Sequence, residues 1–166
     1  MDKDMERIWA PWRSHDLLAE GYKKWDCLFC GLYSSDDDEK NLVLERGNRC
    51  FCVMNLFPYN NGHIMIAPVR HTASFESLLP EELAEMNEMM QRWIGILKAL
   101  YRPDGFNVGM NIGTAAGAGV AGHLHWHIVP RWSGDSNFMS AIGRTDVVSV
   151  SLQTSYKKLR EALKDK

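Results

Sequence analysis

The sequence contains no run of about 18 apolar residues, the length a membrane-spanning helix requires, so no bilayer segment is expected. Four of its first six residues are charged, and no apolar leader core follows them. A cytoplasmic protein is the expectation. A strong charge of either sign is also missing. Nineteen Lys and Arg stand against 21 Asp and Glu, for a net charge of −2. That balance gives no electrostatic reason to expect nucleic acid or a membrane as partner. An anionic ligand must then be caught by local chemistry. Cysteine is scarce, with four in 166 residues, and in a reducing compartment these are expected to be free thiols. No repeat and no internal boundary is visible, so residues 1–166 read as one domain with a core over about 25–132 and an extension at each end.

The elements that are present suggest an α+β domain. Residues 1–26 are rich in tryptophan and charge, with Pro11 blocking a long helix and His15 alone in a polar stretch. Residues 34–41 form an acidic, polar segment that reads as a surface loop. Cys50 to Met54 and His63 to Ala67 are short β-prone runs on either side of Pro58-Tyr59-Asn60-Asn61-Gly62, the pattern of a hairpin with a longer loop. Cys50 and Cys52 fall on one face of the first run and read as core thiols. Residues 80–101 predict a long helix. Pro80, Glu81, Glu82 and Glu85 suit its N-terminal turns, and Leu83, Met86, Met90, Ile94, Leu97 and Tyr101 form its apolar stripe. Phe106 to Ile112 and Leu124 to Val129 read as strands, and Leu152, Tyr156, Leu159 and Leu163 mark a short amphipathic C-terminal helix. The sum is a mainly antiparallel sheet with one long and one short helix.

Half of the six histidines fall within five residues, in His123-Leu124-His125-Trp126-His127-Ile128-Val129. On a strand, alternate side chains share a face. The three imidazoles therefore point together, while Leu124, Trp126 and Ile128 point into a core. Crowded imidazoles resist protonation, so the cluster should be mostly neutral near pH 7. Neutral imidazole is a nucleophile, a base and a metal ligand, and a catalytic three-histidine zinc site is one reading of the pattern. The segment just before it, Gly113 to Gly122, is made almost wholly of glycine and alanine. Such a loop lets backbone N–H groups cradle phosphate oxygens without a cation. An anion cradle joined to a nucleophile points to phosphoryl or nucleotidyl transfer. Cys27-Leu28-Phe29-Cys30 has zinc-ligand spacing, but two ligands alone do not make a site.

The His-apolar-His-apolar-His-apolar-apolar run at 123–129 resembles the signature of the histidine triad (HIT) superfamily of nucleotide hydrolases and transferases. Upstream, Asn55 and then His63 in Gly62-His63-Ile64-Met65-Ile66-Ala67-Pro68 resemble that family's ribose-binding and histidine-bearing hairpin, and Asn111 resembles its amide residue before the glycine loop. The resemblance implies a HIT-like fold. It casts His125 as the nucleophile that becomes nucleotidylated, His127 as its phosphate-contacting neighbour and His63 as a supporting histidine. Asn55 would hold the ribose hydroxyls.

Many members carry a Gln followed by a hydroxyl residue before the triad, whereas this chain has Gly119-Val120 and a loop one residue longer. That departure weakens a nucleoside phosphoramidase reading. The loop and the Arg131 to Met139 segment look more like a bacterial branch that includes diadenosine tetraphosphate phosphorylases. Asn111, Gly119 and Trp132 are then candidates to hold substrate or an incoming phosphate ion. Some members complete a tetrahedral zinc site with two further histidines. The matching residues are His71 and His123, so the resemblance implies a structural zinc on Cys27, Cys30, His71 and His123. Two buried thiols beside an unrelated His71 is the plainer alternative, and a redox pair lacks its βαβ setting. The expected activity is splitting of adenine dinucleoside polyphosphates by water or phosphate, by an enzyme that the resemblance makes a homodimer. A nucleotide-binding regulator with little turnover is the alternative from another class.

Overall fold

A computed structural model describes residues 25–135 and 150–164. Chain order begins with a short helix α1 (Leu28–Ser34), followed by strands β1 (Val43–Arg46), β2 (Cys50–Met54) and β3 (Ile64–Pro68). The long helix α2 (Pro80–Tyr101) comes next, then β4 (Gly105–Met110), β5 (Trp126–Arg131) and a last helix α3 (Leu152–Lys164). The strands form one five-stranded sheet in the order β1-β2-β3-β5-β4, with every neighbouring pair antiparallel. This is the expected α+β architecture. Among the described residues no helix is long and apolar enough to cross a membrane.

Both faces of the central strands are covered. One face lies under α2 and α3, where Cys50, Cys52, Ile64, Ile66, Leu124 and Ile128 join Met86, Met89 and Trp93 in the main core. The other face lies under α1, where Phe51, Val53, Met65 and Ala67 meet Phe29 and Leu32. Double coverage explains why β2 and β3 are buried at every position and read as continuous apolar runs. Each large side chain removed from water in this way is worth roughly 1.5–3 kcal/mol.

Helix α2 spans residues 80–101 as expected. At its start the Glu82 carboxylate accepts the Leu79 N–H at 2.8 Å and the Arg70 guanidinium at 2.7 Å, which ties the helix to the chain leaving β3. Its buried face is rotated from the expected stripe. Met89, Trp93 and Ile96 occupy the centre, whereas Leu83, Met90, Ile94 and Tyr101 sit at the margins. Trp93 can be central because its indole N–H finds Glu45 at 2.7 Å.

Two elements, α1 and β1, were not anticipated from the sequence. The segment between them, residues 34–41, is held by Arg46, which donates to Asp38 at 2.7 Å and to the carbonyls of Leu32, Ser35 and Tyr33. Strand limits shift as well. The ladder of β5 begins only at Trp126, so His123 and His125 precede it, and β4 ends at Met110 rather than Ile112. Alternation nevertheless holds through the triad. Leu124 lies in the main core, and the histidines face the α1 side, with Met65 opposite His127 in the register. Trp9, Pro11, Trp12, His15 and the part of the expected post-triad segment beyond Asp135 lie outside the described residues.

Candidate active site

The hydrogen bonds around the histidines fix which ring nitrogen carries each proton. His125 Nδ1 lies 2.8 Å from the carbonyl oxygen of His123. A carbonyl only accepts, so Nδ1 donates and Nε2 of the neutral ring keeps a lone pair. His125 is buried and lies against the ring of Phe29, with centroids 4.6 Å apart. Burial lowers its pKa, against the opposing pull of the His123 carbonyl. The ring is thus neutral, with its Nε2 lone pair free of that bond and its orientation set by backbone.

His127 is set by a longer chain. The Tyr59 N–H donates to His63 Nδ1 at 3.1 Å. Neutral His63 must then carry its proton on Nε2, which lies 2.9 Å from His127 Nδ1. His127 accepts there and carries its own proton on Nε2, as a donor toward the open side. Burial first, then the rings of His127 and His125, hold the His63 pKa down to about 3. Burial first, then His125, hold His127 down to about 4. Neither ring is a cation at neutral pH.

Asn55 leaves the end of β2 with its side-chain oxygen accepting the Phe57 N–H at 2.9 Å and its amide nitrogen 3.4 Å from both ring nitrogens of His63. Its position beside the histidines follows from the hairpin, because the Asn55 N–H also bonds the His63 carbonyl at 3.0 Å. Asn111 and His127 line a cleft of about 400 Å³ that also reaches Tyr59, Asn107 and Arg131. Gly119 sits on the exposed loop after a 3-10 turn (Thr114–Ala116). Gly113 and Gly117 flank that turn with φ of 82° and 85°, conformations that side chains resist. Among the described residues, no acceptor takes the N–H groups of Gly119 to Gly122. Val120 packs on the α1-side cluster, which brings this end of the loop to the triad face. Trp132 is half-buried, and its backbone N–H donates to Asp135 at 3.1 Å. It is not among the described residues that line the cleft.

The remaining triad member faces away from this chemistry. His123 donates from Nε2 to the Pro68 carbonyl at 2.8 Å, which leaves its Nδ1 lone pair 3.3 Å from Cys27 Sγ and 3.6 Å from Cys30 Sγ. His71 Nδ1 is 3.4 Å from Cys30 Sγ. The four ligand atoms all lie within 4.8 Å of one another. A tetrahedral ion with Zn–S of about 2.3 Å and Zn–N of about 2.0 Å has S···N edges of about 3.5 Å, so the spacing fits zinc. Cys27 caps α1 and Cys30 follows one turn later, which turns both sulfurs toward His123. Burial, then the neighbouring Cys27, push the Cys30 thiol up to about 11. A bound dication is what ionises such a thiol. The same cluster argues against a redox pair, since both sulfurs are turned to imidazoles. The three-histidine catalytic metal site is not formed, because His123 turns its lone pair to Cys27 and Cys30 and His127 turns its lone pair to His63.

The HIT domain profile matches residues 37–134. The chain belongs to the HIT-domain family. An AP-4-A phosphorylase of Mycobacterium tuberculosis is 41% identical over 151 residues, covering 87% of this chain and 77% of the relative. A Zn-bound histidine triad family protein of Mycobacterium smegmatis superposes with a TM-score of 0.69 at 27% identity, covering 84% of this chain and 94% of the other. A hypothetical histidine triad nucleotide-binding protein of Sulfolobus tokodaii shares the fold, with a TM-score of 0.68 at 23% identity over 84% of this chain and 93% of its own.

Reading the sequence alone did not find Phe29 beneath His125, the Tyr59 amide behind His63, or the Arg131–Asp135 pair at the cleft rim. The pair gave an i,i+4 charge signal at Arg131 and Asp135. The other two are tertiary contacts with no local signature.

Proposed function

We propose that this HIT enzyme is a dinucleoside polyphosphate phosphorylase that cleaves diadenosine tetraphosphate with inorganic phosphate. The observation that carries this reading is the His125 ring, whose proton is committed to the His123 carbonyl and whose Nε2 lone pair is left for attack. The similarity to an AP-4-A phosphorylase supports the substrate and the acceptor.

In the first step His125 Nε2 attacks the α-phosphorus. A P–N bond forms, the P–O bond to the bridging oxygen breaks, and ATP leaves. In the second step a phosphate oxygen attacks the same phosphorus, the P–N bond breaks, and ADP leaves with His125 restored. Covalent catalysis replaces one hard displacement by two easier ones. The His127 Nε2–H and the loop amides from Gly119 onward stabilise charge on the phosphate oxygens. His63 holds His127 in the donor tautomer. Asn55 supplies the ribose contact through whatever bonding capacity its two local contacts leave. Asn111 and Trp132 flank the polyphosphate and the incoming phosphate. Val120 offers no hydroxyl near the leaving group, which favours a bound phosphate as the partner of the second step. The enzyme works as a homodimer.

Cys27, Cys30, His71 and His123 would hold a structural zinc. Bound there, it would hold the two thiolates and cross-link α1 to the segment that carries His125.

Incubation with diadenosine tetraphosphate and phosphate is expected to yield ADP and ATP, with an acid-labile label on wild-type protein. His125→Ala is expected to abolish the label and lower turnover by at least about 10³-fold. AMP and ATP formed at a rate indifferent to phosphate would instead make water the acceptor.

A further inference from the structure

Strand β5 ends at Arg131, and the chain turns back at once, with the Asp135 N–H bonding the Trp132 carbonyl at 3.1 Å. That turn brings the Asp135 carboxylate to donors from two parts of the fold. Arg131 gives it two hydrogen bonds of 2.6 Å, one to each oxygen. The Trp132 N–H adds a third at 3.1 Å, and the Asn60 side-chain amide a fourth at 2.8 Å. A carboxylate has about four lone-pair sites, so this one is filled. Its side chain is only 11% exposed, and short charge-assisted bonds are the strong ones. Three of the four bonds stay at the end of β5. The fourth crosses 75 residues of chain to the loop of the β2–β3 hairpin.

Asn60 is where that loop acts on the histidines. Its carbonyl accepts the His63 N–H at 3.2 Å, closing the turn Asn60-Asn61-Gly62-His63 with Gly62 at a φ of 75°. Its side-chain oxygen takes the Asn61 N–H at 3.2 Å, which leaves the amide nitrogen for Asp135. Tyr59, directly before it, supplies the N–H that meets His63 Nδ1 at 3.1 Å. With Asn60 pinned, that N–H has little freedom to leave the ring. It stands at the head of the chain that puts the His63 proton on Nε2, facing His127 Nδ1.

We infer that Asp135 is a positioning residue for the nucleotidyl transfer proposed for His125. Acting through Asn60 and Tyr59, it ties the hairpin loop to the end of the triad strand and so keeps the His127 proton on Nε2. This rests on the reading of His127 as a donor to phosphate. An acid suits the place because every group that meets it is a donor.

The test reads the tautomers directly, from the ¹⁵N shifts of His63 and His127 in the full chain near pH 7, alongside kcat and KM for diadenosine tetraphosphate with phosphate. Asp135→Ala and Asn60→Ala are each expected to turn the single Nε2–H form of both rings into a mixture. Each should also lower kcat by about tenfold, the low end for loss of an orienting partner, with little change in KM. The turn keeps a second anchor, where Asn61 accepts the Val150 N–H at 3.3 Å, so the loop should stay folded. Asn60→Ala also leaves the Arg131–Asp135–Trp132 cluster intact and decides the matter alone if Asp135→Ala does not fold. The double variant is expected to be no slower than Asp135→Ala, because the two residues form one link. Wild-type tautomers in a folded variant, or losses that multiply in the double variant, would overturn the role. So would a lower melting temperature with kcat unchanged. AMP in place of ADP from the wild type would overturn the phosphorylase reading, and the spectra would still judge Asp135.

Discussion

His63 Nε2 lies 2.9 Å from His127 Nδ1, and that one contact decides which edge of the His127 ring carries its proton. His63 is fully buried and touches no solvent, so it acts through His127. His63→Ala is expected to lower kcat by about 10–10²-fold, as loss of an orienting partner does, with little change in KM. The ¹⁵N shifts of His127 should report a mixture of tautomers in the variant and a single Nε2–H form in the wild type. A variant with wild-type kcat would show that the contact is packing alone.

The histidine pair also makes stability depend on pH. Folded His63 and His127 titrate at about 3 and about 4, against an ordinary 6.5. Between those values the unfolded chain binds more protons than the folded one, so stability rises with pH across the window and is lost as pH falls from about 6.5 toward 4. The melting temperature is expected to drop by at least about 5 °C between pH 7 and pH 5. The slope should be shallower in His63→Gln, which has one fewer such group. A melting temperature indifferent to pH over that span would remove the argument.

Metal analysis is expected to find close to one zinc per chain. Cys27→Ser or His71→Ala should reduce that content and lower the melting temperature by about 5 °C or more, since binding energy in such a site is folding energy. Mild chelation should leave turnover intact for as long as the protein stays folded. Immediate inactivation of a folded protein would place the metal in the chemistry instead.

How far the sequence discloses this molecule depends on the range of the interactions involved. The triad is legible because its period of two is local, and the face it predicts is the face observed even though the ladder starts only at Trp126. Helix α2 is legible from its stripe, but the rotation toward Trp93 is not, because Glu45, which accepts the indole proton, is 48 residues away in the chain. Helix α1 is short, includes Gly31, and has Cys27 at its N-cap with no side-chain cap bond. Its order comes from packing Phe29 and Leu32 on the sheet, which no window of residues reports. Strand β1 follows Leu42, a buried residue with φ of 58°, and a non-glycine in that conformation gives no turn signal. The cluster of Cys27, Cys30, His71 and His123 was found through the family pattern, whereas the tautomers required knowing where the Pro68 and His123 carbonyls lie.

His123 serves two masters. Its ring joins the thiols of α1, 96 residues earlier in the chain, and its carbonyl holds the proton of His125. On the proposed mechanism, the His125 lone pair is therefore aimed by a neighbour that is itself tied to the first described helix. A single residue thus links the cysteine pair to the ring proposed to attack the nucleotide.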